Sequence, residues 1–168
     1  QLPLDFWESL KTDIFPAYKD ETTYPTHSLD LDGTKINYAL VGRGPALIFV
    51  HGWASNWEGW KPLIPKLKNN FLLYLLDLPG FGDSGSLETY SVENLSRYLY
   101  RFIGKLPQKP LAVVAASMGT MVTTEMLLNN STTVEKAILI GSPLKSGRTN
   151  IAAKTLKYSL LFLNRLSL

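Results

Sequence analysis

Four short stretches of the chain are almost wholly apolar: Ala46 to Val50, Phe71 to Leu76, Leu111 to Ala116 and Ala137 to Ile140. A strand with one face in water alternates apolar and polar residues, so unbroken apolarity over four to six positions describes a strand covered on both faces, as in a parallel sheet. Candidate helices lie between these runs, at Trp57 to Lys68, Ser91 to Leu106 and Met118 to Asn130. The second has Leu95, Tyr98, Leu99, Phe102 and Leu106 at helical spacing. Ser91 supplies its cap, Asn94 replaces the usual glutamate of a capping box, and Glu93 complements the positive end of the helix. Upstream, His27 to Leu31 and Lys35 to Val41 read as two strands joined by Asp32-Gly33, the strongest short hairpin signal. A hairpin followed by alternating strands and helices predicts an α/β fold with a mostly parallel sheet and helices on both faces. In such folds the C-terminal ends of the strands are the place for chemistry. Before the hairpin, Leu4 to Tyr18 carries a weak helical pattern of Phe6, Leu10, Ile14 and Phe15, stopped by Pro16.

The rest of the composition narrows the class. The 168 residues contain no cysteine, which removes a disulfide scaffold and a cysteine-ligated metal site. A hydrophobic fraction of 45% with 18% charged residues describes a buried core, and no apolar run reaches the roughly 18 residues of a membrane span. The first residues lack the basic start and apolar stretch of a secretory leader, so a cytoplasmic location is expected. Because Gln1 is not an initiator methionine, a processed or trimmed piece is also expected. The net charge of +3 is unevenly spread: residues 1 to 135 carry 11 basic and 14 acidic side chains, whereas residues 136 to 168 carry six basic and no acidic ones. With the basic residues confined to the C-terminal end and no reader motif, nucleic acid is not an expected partner. Gly42-Arg43-Gly44-Pro45 precedes a strand instead of opening a helix, so it is not a phosphate loop.

Three motifs follow three of the apolar runs. They are Val50-His51-Gly52-Trp53, Asp77-Leu78-Pro79-Gly80-Phe81-Gly82-Asp83-Ser84 and Ala115-Ala116-Ser117-Met118-Gly119. In this order, on alternating strands and helices, they resemble the α/β-hydrolase superfamily, over roughly His27 to Pro143. The first two look most like small bacterial carboxylesterases, including the pimeloyl-acyl-carrier-protein methyl ester esterase group. In the third, Ala115 stands where the family pattern Gly-x-Ser-x-Gly has its first glycine.

The resemblance implies that Ser117 is the catalytic nucleophile, presented on a sharp strand-to-helix turn. It also implies an oxyanion hole from the backbone N–H groups of Trp53 and Met118, with Gly52 and Trp53 beside the substrate. His51 is implied to hold its loop and not to act as a base, and Asp77 to shape the loop beside the pocket. His27 reads as a surface or strand residue. Trp53, Trp57 and Trp60 either line an acyl pocket or pack in the core. An aspartate in place of Ser117 would indicate a haloalkane dehalogenase or an epoxide hydrolase, so those activities are not expected.

A serine hydrolase also needs a histidine to take the serine proton and an acid to hold that imidazole, following the serine in the order serine, acid, histidine. After Ser117 there is no histidine and no aspartate, and the only acids are Glu125 and Glu135. The position after the last apolar run reads Gly141-Ser142-Pro143. Residues 1–144 are therefore expected to form the N-terminal part of the hydrolase core, with about six of eight strands, and residues 145–168 the start of a cap. The expected activity is cleavage of a carboxylic ester or thioester, small or carrier-bound, through an acyl-enzyme on Ser117, with the acid and histidine from sequence not present here. An acidic carrier protein is a candidate partner for the basic C-terminal segment. The chemistry needs no cofactor and no metal. The competing reading is a non-catalytic or truncated member of the fold serving as a binding module.

Overall fold

The structure is a computed structural model that describes residues 22–130 and 133–142. The weak helix expected at Leu4 to Tyr18 and the cap segment 145–168 lie outside the described residues.

Among the described residues, six strands form one sheet in the order β1-β2-β4-β3-β5-β6. Strands β1 (Thr26–Leu31) and β2 (Thr34–Gly42) make the antiparallel hairpin expected from Asp32-Gly33. Both turn residues have positive φ, 54° and 83°, the combination that matches the twist of a two-residue hairpin. The Gly33 N–H donates to Asp30 Oδ1 at 3.0 Å and closes the turn. Strand β2 also pairs antiparallel with β4 (Leu72–Leu76), which joins the hairpin to a parallel set made of β4, β3 (Ala46–Val50), β5 (Ala112–Ala116) and β6 (Lys136–Ile140).

Period-two alternation sorts each parallel strand between two cores. Ile48, Val50, Tyr74, Leu76, Val113 and Ala115 point to one face and pack with Leu95, Leu99, Phe102, Val122 and Met126. Those partners come from two long helices, α2 (Val92–Gly104) and α3 (Met118–Asn129), which follow a short α1 (Ile64–Leu67). Leu47, Phe49, Leu73, Leu75 and Val114 point to the other face, against Trp57, Trp60 and Ile64. Burial on both faces is the physical reason β3, β4 and β5 are apolar at every position, whereas the cover expected for the run Ala137 to Ile140 is incomplete because β6 lies at the edge of the described sheet, with Lys136 and Ile140 exposed.

Helix α2 is capped as its sequence suggests: Ser91 Oγ accepts from the Asn94 N–H at 3.1 Å. The helix expected over Trp57 to Lys68 is instead a 3₁₀ helix, Trp57–Leu63, followed by the single turn of α1. Pro62 and Pro65 explain the difference, since neither can donate the backbone bond that would carry one α-helix through the segment. Among the described residues, no helix is long and apolar enough to cross a membrane.

Candidate active site

The parallel register brings the ends of β3 and β5 together, with Val50 opposite Ala115. The residues that follow each strand therefore meet. A β-carbon placed on Gly52 would lie 3.2 Å from Ser117 Cβ and 3.8 Å from Ser117 Oγ, so backbone alone separates the two loops. Gly52, Trp53, Ser117 and Met118, which the sequence reading groups into one site, all lie at this junction.

Ser117 occupies the one-residue link between β5 and α3. Its backbone has φ 48° and ψ −117°, a region that residues with a side chain seldom enter and that costs about 1–3 kcal/mol. Three bonds hold it there. The Ser117 N–H donates to the Ile140 carbonyl at 2.9 Å, and the Ser117 carbonyl accepts from both the N–H (2.9 Å) and the hydroxyl (2.6 Å) of Thr120. The side chain of Ser117 stands exposed above the sheet. Behind it, Gly119 is buried with no room for a side chain beneath the end of β3. Ala115, which replaces the family's glycine, is fully buried among the strand and helix side chains, so the extra methyl is accommodated. The N–H of Met118 belongs to the first turn of α3, where backbone donors have no acceptor within the helix and the helix end carries partial positive charge.

His51 is buried and both ring nitrogens are committed. Nδ1 donates to the Gly52 carbonyl at 2.7 Å, and Nε2 accepts from the Leu78 N–H at 3.0 Å. This fixes a neutral tautomer. Burial pushes the pKa below the ordinary histidine value, against smaller opposing effects of the Gly52 carbonyl and Asp77. With no ring nitrogen left over, the imidazole holds its loop to the one after β4. His27 lies on β1 at the far edge of the sheet, stacked on Tyr38.

Asp77 is the anchor of the neighbouring loop. Its buried carboxylate accepts from the Trp57 N–H at 2.7 Å, Asn37 Nδ2 at 2.9 Å and the Asp83 N–H at 3.0 Å. Ser84 completes the loop, its hydroxyl donating to the Asp77 carbonyl and accepting from the Asn37 N–H, each at 2.8 Å. All of the carboxylate's contacts fasten backbone or side chain of adjoining segments.

The three tryptophans divide. Trp57 and Trp60 are core residues, 7% and 8% exposed, on the sheet face covered by α1. Trp53 is 73% exposed and packs edge-to-face on Phe81 at 5.5 Å between centroids, while Phe81 meets the His51 ring at 5.2 Å. Glu125 lies along α3 as it runs away from Ser117, its carboxylate accepting from Asn129. Glu135 precedes β6, at the opposite end of the parallel strands. Three contributors were not singled out in the sequence. Asn37 carried a signal, a polar residue inside a buried strand; Phe81 lay within a recognised motif; Thr120 had none beyond its place three residues after the serine.

The sequence model of one family, described as alpha/beta hydrolase fold, matches residues 45–164. The chain belongs to the α/β-hydrolase fold family. Among curated relatives, the pimeloyl-[acyl-carrier protein] methyl ester esterase of Vibrio vulnificus is 31% identical over 112 residues, which cover 67% of this chain and 42% of the relative. The chain thus spans less than half the length of the curated relatives it matches. Among solved structures, a bacterial membrane phospholipase A superposes with a TM-score of 0.67 at 25% identity, covering 71% of this chain and 40% of that one. The epoxide hydrolase of Vigna radiata superposes with a TM-score of 0.68 at 22% identity, covering 81% and 46%, a likeness of fold alone.

Proposed function

We propose that this α/β-hydrolase cleaves a carboxylic ester or thioester with Ser117 as nucleophile. The observation that carries the reading is the backbone of Ser117, held at φ 48° between β5 and α3 with its side chain exposed beside Gly52. Strain of this kind persists only where the surroundings enforce it, and here it lifts a hydroxyl clear of the sheet.

In the proposed reaction, Ser117 Oγ attacks the carbonyl carbon while a histidine takes its proton. The negative charge on the carbonyl oxygen is stabilised by the N–H groups of Met118 and Trp53. Collapse breaks the ester bond, the histidine returns its proton to the departing alcohol or thiol, and an acyl-serine remains. Water, deprotonated by the same histidine, then attacks the acyl carbon and releases the acid and Ser117. His51 cannot be that histidine because both its nitrogens are engaged. We assign the base and its carboxylate to polypeptide outside these 168 residues, with residues 1–144 as the N-terminal part of the core and 145–168 as the start of a cap. The Trp53–Phe81 pair offers an apolar surface to the substrate beside the serine. Because the Vibrio relative is named for an acyl-carrier-protein ester, a carrier-bound acyl group is included among the candidate substrates. The basic segment 145–168 would meet an acidic carrier, and such binding would weaken steeply with salt.

The second reading, a binding module without catalysis, is favoured by the commitment of His51 and the positions of Glu125 and Glu135. A fluorophosphonate probe separates the two. Labelling of the full-length native protein that disappears in Ser117→Ala supports the hydrolase, and absence of labelling of the native protein sinks it.

A further inference from the structure

The geometry points to Thr120 as a positioning residue that sets the direction of the Ser117 hydroxyl through the Ser117 carbonyl. This rests on the reading of Ser117 as nucleophile. Thr120 is fully buried, on the first turn of α3. Its hydroxyl has one proton, and the nearest acceptor is the Ser117 carbonyl at 2.6 Å. The backbone N–H of Thr120 reaches the same oxygen at 2.9 Å, so one residue supplies two donors to one carbonyl. The orientation of a carbonyl fixes ψ of its own residue, and ψ of Ser117 is −117°, far from the helical value that α3 would otherwise impose.

On its other side the Thr120 hydroxyl lies 3.0 Å from the hydroxyl of Ser142, just beyond β6. The Thr120 hydroxyl is the donor in this contact as well, so its single proton is divided between two oxygens, with the Ser117 carbonyl at 2.6 Å the nearer acceptor. The turn is thereby fastened to the end of β6 twice, through the Thr120 hydroxyl on Ser142 and through the Ser117 N–H on the Ile140 carbonyl. A helix start needs only one backbone bond at this point. The same hydroxyl-to-carbonyl bond ties Ser96 to Glu93 within α2; at Thr120 the accepting carbonyl is that of Ser117, so here the bond acts on the unusual backbone and through it on the aim of Oγ relative to the Met118 and Trp53 amides.

The test compares fluorophosphonate labelling rates and melting temperatures of the full-length protein and three variants. Thr120→Val keeps the buried volume and loses the hydroxyl; it is expected to label about tenfold more slowly, the loss of one oriented hydrogen bond in the reacting geometry. Thr120→Ser keeps the hydroxyl and loses a buried methyl; it is expected to melt lower yet label close to the wild-type rate. This crossover of rate and stability is what a purely structural role does not produce. If Thr120→Val does not fold, Thr120→Ala carries the same expectation without any steric demand. Wild-type labelling rates in the valine or alanine variant, or a serine variant as slow as they are, overturn the proposal. A wild-type protein that does not label, or labelling that survives Ser117→Ala, removes the nucleophile reading itself and Thr120's role with it.

Discussion

A β-carbon on Gly119 would lie 2.5 Å from the carbonyl oxygen of Val50 and 2.6 Å from that of His51. These are backbone atoms of the strand beside the serine turn and its loop, and they cannot swing aside as a side chain would. Gly119→Ala is therefore expected to push α3 away from β3, destabilising the protein by about 1–3 kcal/mol as overpacked cores do. Because α3 starts at Met118, the same shift displaces the donor next to Ser117. Urea unfolding should show the loss of stability, and labelling of Ser117 by a fluorophosphonate should fall with it; an alanine variant of wild-type stability and rate would contradict the packing.

The buried, neutral His51 predicts a specific acid sensitivity. Its folded pKa lies below the value of about 6.5 of an unfolded histidine. Between those two values the unfolded chain binds a proton that the folded protein does not, so stability rises with pH across that window. The contribution is fully present above pH about 6.5 and is lost as the pH falls from there toward the folded pKa. Melting temperatures measured downward from pH 7 should drop more steeply for wild type than for His51→Gln. Parallel slopes for the two proteins would show that His51 does not titrate in this way.

Asp77 predicts a separation of stability from chemistry. Asp77→Ala leaves the Trp57 N–H, Asn37 Nδ2 and the Asp83 N–H without their acceptor, at a cost of about 3 kcal/mol or more. Asp77→Asn keeps one carbonyl oxygen and is expected to lose less. If the carboxylate only holds loops, the folded asparagine variant labels at Ser117 nearly as fast as wild type. A large fall in rate without a matching fall in stability would instead indicate a catalytic acid.

Trp53 predicts the converse. With most of its side chain in water, Trp53→Ala should change unfolding free energy by no more than about 0.5 kcal/mol. Its proposed contribution to the oxyanion site comes from backbone and survives the substitution. The full-length variant should hydrolyse short acyl esters as wild type does, while kcat/KM for long apolar or aromatic esters falls by up to about tenfold. Equal losses for short and long esters would place the effect in the loop backbone, not in an apolar contact.

Much of the core was legible because it follows from local rules. Asp32-Gly33 demands a two-residue hairpin, and the wholly apolar runs of β3, β4 and β5 demand cover on both faces, while the equally apolar run of β6 is only partly covered at the sheet edge. Their observed limits, such as Leu72–Leu76 for the run Phe71 to Leu76, differ by about one residue. What was not legible depends on partners distant in the chain. Nothing in Trp57 and Trp60 distinguishes them from Trp53, since the first two are buried by the packing of their own 3₁₀ helix against the sheet, where Trp60 meets Phe49. Asn37 is a polar residue in a buried strand, and only the approach of Asp77 and Ser84 gives it partners. Thr120 and Ser142 become neighbours because β6 pairs with β5, a relationship that the spacing between them does not encode.

The bond from the Ser117 amide to the Ile140 carbonyl gives the serine turn a dependence on assembly. The residues next to Ser117 would, left to themselves, continue a strand or begin a helix; the sharp turn between them exists because a later strand has docked alongside. An isolated peptide spanning β5 and α3 retains the two Thr120 donors to the Ser117 carbonyl but lacks the acceptor for the Ser117 amide. The posture of Ser117 is therefore shared between two elements far apart in the chain, the helix that follows it and the strand that docks beside it, and loosening either one reaches the same hydroxyl.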